Sequence, residues 1–192
     1  MARDESEMNE QLLNWLVTKR DVPNCEWVSK KRFLTDVTFV PTCDPNPLWV
    51  FGLAEIDICL RRKGPDLDFT GWAACRPDRV HFKWKTSSNQ TQIWIPLIAI
   101  EVKTGAGGTT VNELRSCNLV CEGLRYLFPF VHYLLVIESA TEEDITIFRH
   151  TKAFTDRYLA HGELEEPDLV SIGELVSGYL TSLSRLGLVA TA

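Results

Sequence analysis

The most apolar stretch of the chain ends in charge. In IPLIAIEVKTGAGG, residues 95–108, Ile95, Leu97, Ile98, Ala99 and Ile100 lead into Glu101, Val102 and Lys103 before the glycines begin. Positions i and i+2 of a strand share a face, so the Glu101 carboxylate and the Lys103 ammonium leave the same side of one strand end. Burying such groups without partners is costly. An earlier acid, Asp57, lies in AEIDICL, residues 54–60, between Ile56 and Ile58. If its strand neighbours the Glu101 strand, two carboxylates converge beside one ammonium. That set suits a hard divalent cation, Mg²⁺ or Mn²⁺, which takes oxygen ligands and keeps several waters. A water oriented or deprotonated by Lys103 is then placed to attack phosphorus, with cation and lysine offsetting charge on the phosphoryl oxygens.

The flanking elements must hold these residues. DESEMNEQLLNWLVTKR (4–20) reads as a helix with Met8, Leu12, Trp15 and Leu16 on one stripe and Asp4 with Glu7 as a capping box. RFLTDVTFV (32–40), WVFGLAEIDICLRRK (49–63) and RVHFKWK (79–85) have strand character, and QIWIPLIAIEVK (92–103) reads as one long central strand. After the glycines, TTVNELRSCNLVCEGLRYLF (109–128) is expected as a helix opened by Thr110 and Glu113, with Val111, Leu114, Cys117, Cys121 and Leu124 on its apolar face. HYLLVIE (132–138) and ITIFRH (145–150) read as strands, and TKAFTDRYLAHG (151–162) as a helix. SIGELVSGYLTSLSRLG (171–187) reads as a closing amphipathic helix boxed by Ser171 and Glu174 and stopped by Gly187. The expected architecture is α/β with a mixed central sheet and added C-terminal helices.

On these residues the chain resembles the PD-(D/E)XK nucleases, the restriction-endonuclease-like superfamily. AEIDICL followed by IPLIAIEVKTG is similar to that family's acid-bearing second strand and its E-x-K third strand. The order helix, three strands, helix, strand over residues 4–138 resembles its common core. The resemblance implies a Mg²⁺-dependent endonuclease acting on DNA phosphodiesters, with restriction or defence as its setting. It implies Asp57 and Glu101 as metal ligands, Lys103 as the catalytic lysine and the Val102 carbonyl as an extra ligand. Some members add a first-helix glutamate, for which Glu7 and Glu10 are candidates. Glu55 is an accessory acid on this reading, or simply the wet face of its strand.

A second aspartate competes for the metal. No proline precedes Asp57, and 43 residues separate it from Glu101. CRPDRVHFKW contains a literal Pro77-Asp78, 22 residues before Glu101, and resembles the nuclease domain of type I restriction motor subunits. If 79–85 pairs antiparallel with 91–99 across the SSNQT turn, Asp78 reaches the Glu101 end. Asp57 is preferred because an acid between two isoleucines calls for a reason. Asp78 stands as the alternate.

Charge and composition bound the rest. The net charge of −6 does not advertise a nucleic-acid binder. Residues 61–85, however, carry seven Arg/Lys against three Asp. This stretch, an inserted basic and aromatic hairpin at about 61–91, offers Arg61, Arg62, Lys63, Lys83 and Lys85 to a phosphate backbone. TGAGG lacks the lysine and hydroxyl of a nucleotide P-loop. Six cysteines without a CxxC pair point to buried reduced thiols. With no membrane-length apolar run and an acidic, polar start, a cytoplasmic single domain of 192 residues is expected. The partner expected is DNA, with a second copy paired through the last helix as the runner-up to a core role for that helix. A nuclease-like domain that binds without cutting is the alternative, and cleavage of RNA stays open.

Overall fold

Alternating apolar positions along the central strands leave a sheet with two faces to cover, and helices cover both. The computed structural model describes residues 4–40, 48–68, 81–84, 92–104, 111–140 and 154–190. In chain order the elements are α1 (Glu5–Lys19), β1 (Cys25–Val40), β2 (Leu48–Arg62), β3 (Leu67–Asp68), β4 (His81–Trp84), β5 (Gln92–Ile93) and β6 (Pro96–Thr104). They continue as α2 (Val111–Leu127), β7 (His132–Glu138), β8 (Asp156–Leu159) and α3 (Glu166–Arg185). The main sheet runs β1-β2-β6-β7-β8, with β4 added to one end of β2. β1–β2 and β2–β6 are antiparallel, whereas β6–β7 and β7–β8 are parallel. This is an α/β protein with a mixed sheet.

One face of the sheet offers Ile58, Leu60, Ile98, Ile100, Val102, Leu134 and Val136 to Met8, Leu12 and Leu16 of α1 and Leu169, Ile172 and Val176 of α3. The other offers Ile56, Ala99, Tyr133, Leu135 and Ile137 to Leu114, Cys117, Cys121 and Leu124 of α2. Each fully buried aliphatic side chain contributes about 1.5–3 kcal/mol. Asp4 caps α1 by accepting from the Ser6 amide at 3.2 Å. α2 lies so close to β1 that a Cβ on Gly123 would run into the Thr35 carbonyl oxygen. Cys25, Cys59, Cys117 and Cys121 are buried free thiols. Among the described residues no helix is long and apolar enough to cross a membrane.

Four local expectations need correction. The stretch 92–103 is not one strand. Pro96 has no N–H to donate, and the Ile95 amide instead donates to Asp66 at 2.7 Å, so β5 turns away to pair with β3. Within 79–85 the described residues, His81–Trp84, pair in parallel with β2 over Leu48–Phe51 and not with 92–99. Within the helix expected at 151–162, the residues Asp156–Leu159 instead form β8. The open edge of β7 has backbone groups to satisfy, and Thr155 and Ala160 donate to the Tyr133 and Ile137 carbonyls at 2.8 Å. Finally, α3 starts at Glu166 rather than Ser171, because Glu165 and Asp168 form the capping box and Leu169 already belongs to the buried stripe. Gly187, with φ +69, ends it as expected. The strand expected at 145–150 lies outside the described residues.

Candidate active site

β2 and β6 bring the acids together and then part. Their ladder pairs Leu60 with Ile98 and Ile58 with Ile100, so Asp57 and Glu101 come next on either strand. Where the ladder stops, the Asp57 carboxylate takes over and accepts the Val102 amide at 3.0 Å. The side-chain alternation of β2 also slips here. Ile58 packs beneath α1 and α3, yet Ile56, two residues earlier, packs with Phe33 on the α2 side. An acid set between two isoleucines therefore marks the point at which the strand exchanges faces.

Lys103 stands at the centre of the cluster. Its Nζ lies 3.3 Å from Asp57 Oδ2, 3.8 Å from Glu101 Oε1 and 3.2 Å from Glu5 Oε1, and it donates to the Val102 carbonyl at 2.8 Å. Glu101 is held from the other side, accepting from the Tyr133 hydroxyl at 3.3 Å and the Cys117 thiol at 3.5 Å. The Lys103, Glu101 and Asp57 side chains are only 12%, 13% and 15% exposed, whereas Glu5 is 38% exposed. The charges that end the apolar strand are thus mostly covered, and they are one another's partners.

The proton affinities follow from this crowding. Burial pushes Glu101 up to about 7, helped by the neighbouring Asp57 charge and opposed by Lys103. Burial pulls Lys103 down, but Asp57, Glu101 and Glu5 outweigh it and hold the ammonium above its usual range. Burial, then Glu101, lifts the Cys117 thiol to about 12 and holds the Tyr133 hydroxyl well above its ordinary value. Both therefore act as neutral donors. With all three acids ionised, one lysine leaves the cluster with excess negative charge.

Neither a family model nor a curated protein matches the chain. Among the described residues, no three His, Cys, Asp or Glu side chains form a ready cage for a metal ion. The donors that fit one are the Asp57 and Glu101 carboxylates, hard oxygen ligands of the kind Mg²⁺ takes one or two of, with water completing its shell.

Of the residues singled out from sequence, Asp57, Glu101 and Lys103 meet. Asp78 and Lys85 lie outside the described residues, and Lys83 falls within β4. Arg61, Arg62 and Lys63 are not brought to the cluster, since they follow Asp57 by four to six residues, roughly 13–20 Å along the chain. Arg61 is engaged there, 2.9 Å from Glu26 and stacked over the Trp94 ring at 4.4 Å. Arg62 sits 3.4 Å from Asp66. Glu55 is exposed and lies opposite Arg32, on the wet side of its strand. The first-helix glutamate at the cluster is Glu5, rather than Glu7 or Glu10. The signal for it was present, because Glu5 precedes Met8, Leu12 and Leu16 on the same helical stripe.

Proposed function

We propose that the protein is a Mg²⁺-dependent endonuclease that hydrolyses DNA phosphodiester bonds, with Asp57, Glu101 and Lys103 at its centre. The observation that carries this reading is the meeting of two carboxylates from adjacent strands on one covered lysine, with a surplus of negative charge. Asp57 and Glu101 would hold the cation, which supplies positive charge for the phosphoryl oxygens and makes water more acidic. Lys103 stays protonated, so its part is to donate to the attacking water or to a phosphoryl oxygen, not to remove a proton. Asp57 fixes that ammonium and, through the Val102 amide, the strand end that carries it. Tyr133 and Cys117 orient Glu101 without ionising themselves.

Incubation of plasmid DNA with the protein and Mg²⁺ tests this. Nicked or linear product is expected, absent in EDTA and reduced at least a hundredfold by Glu101→Ala or Asp57→Ala. Equal inertness of wild type and variants on duplex, single-stranded and branched DNA overturns the catalytic reading.

One observation favours the alternative, a nuclease-like module that does not cut: the net charge of −6. Calorimetric titration with Mn²⁺ separates the two. Cleavage requires binding that is lost in Asp57→Ala, whereas a module without a working centre shows no heat.

A further inference from the structure

β1 breaks its own regularity level with Asp57. Its ladder with β2 pairs Ser29 with Ile58 and Lys31 with Ile56, so Lys30 and Asp57 both fall between these pairs. Lys30 has φ +49, the left-handed region that a residue with a Cβ seldom adopts. Such backbone costs on the order of 1 kcal/mol or more and persists where its surroundings impose it, often at functional positions. The Lys30 side chain is exposed, and its ammonium lies 3.5 Å from the hydroxyl of Ser6, at the start of α1. Ser6 follows Glu5, the residue that grips Lys103. A second ammonium therefore sits beside the first turn of α1, which also carries Glu5, in a weak contact that a phosphate oxygen can replace.

We propose that Lys30 is a substrate-binding residue, contacting a backbone phosphate of the nucleic acid beside the one cut at Asp57, Glu101 and Lys103; this rests on the nuclease reading above. β1 is an edge strand, and an exposed lysine there also discourages pairing with another chain. That duty needs neither the left-handed backbone nor the position level with Asp57. Arg32, exposed two residues further along the same edge, lies opposite Glu55. Arg61, for its part, is already committed to Glu26 and Trp94.

Glycine tests the idea, because it adopts φ +49 without strain and removes only the side chain. Binding of a fluorescein-labelled DNA duplex and of its single strand is measured across a salt series, with Ca²⁺ replacing Mg²⁺ so that nothing is cut. Lys30→Gly should melt at or above the wild-type temperature yet bind about five- to tenfold more weakly, with the log–log salt slope smaller by about 0.9, one phosphate contact. Lys30→Arg should stay within about twofold of wild type. Lys19→Ala, at the far end of α1, controls for lost net charge. Wild-type affinity and slope in Lys30→Gly, or an equal loss in Lys19→Ala, overturns the inference and leaves the cleavage reading untouched. A wild type that binds through Lys30 but never cuts sinks the cleavage reading and keeps only the phosphate contact of Lys30. A wild type that neither binds nor cuts DNA ends both.

Discussion

Glu101 sets a pH signature that needs no substrate. Its proton leaves near pH 7 in the folded chain against an ordinary 4.5, chiefly through burial and then through the Asp57 charge. Between those values the unfolded chain has lost this proton and the folded chain has kept it, so the contribution of Glu101 to stability falls as pH rises through that window. Glu101→Gln should therefore raise the melting temperature of metal-free protein above pH 7 and leave it nearly unchanged below pH 4.5. Thermal melts in EDTA across that range check it, and a gain largest at low pH would contradict the assignment. Lys103→Ala should do the opposite. It strands mostly covered carboxylates, costing about 2–4 kcal/mol, and added Mn²⁺ should restore part of the lost melting temperature. At this scale much was legible. The i, i+2 spacing of Glu101 and Lys103 and an acid between two isoleucines were enough to bring three residues under suspicion. Tyr133 and Cys117 were not legible as partners, because a hydroxyl and a thiol inside apolar stretches read as core until the neighbouring strand and helix are in place.

Elements were legible where a periodic pattern ran long enough to be unambiguous. α1, the 48–62 strand and β7 follow directly from their stripes or apolar runs. Misreadings cluster where pairing outweighs local preference: β8 exists because β7 has an edge to satisfy, and β5 leaves β6 because Asp66 holds the Ile95 amide. Two substitutions test those attachments. Asp66→Ala removes the acceptor from a partly buried amide and should cost about 1–3 kcal/mol, read as a shift of the urea midpoint. Gly123→Ala drives a methyl group toward the Thr35 carbonyl and should cost about 1–3 kcal/mol, lowering the melting temperature by several degrees. A Gly123→Ala protein as stable as wild type would mean that α2 does not sit against β1 as described.

For the whole molecule, topology was the least legible level. Nothing in RVHFKWK states that its middle will lie parallel to β2, since the pairing partner of a short strand is fixed by the space other elements leave. Layering was easier, because an apolar run flanked by amphipathic helices needs cover on both faces. Divalent cations should act on the molecule as a unit. Mn²⁺ at a hundred times its dissociation constant should stabilise the fold by about 2.7 kcal/mol, visible as a rise in melting temperature that Asp57→Ala abolishes.

Glu5 reaches Lys103 from a helix, while the other charges of the cluster hang from the sheet. A copy whose sheet has formed but whose α1 has not yet seated thus carries an incomplete set. One of Lys103's three acidic partners is delivered by the seating of that helix on the sheet, so a change that loosens α1 is felt at the cluster.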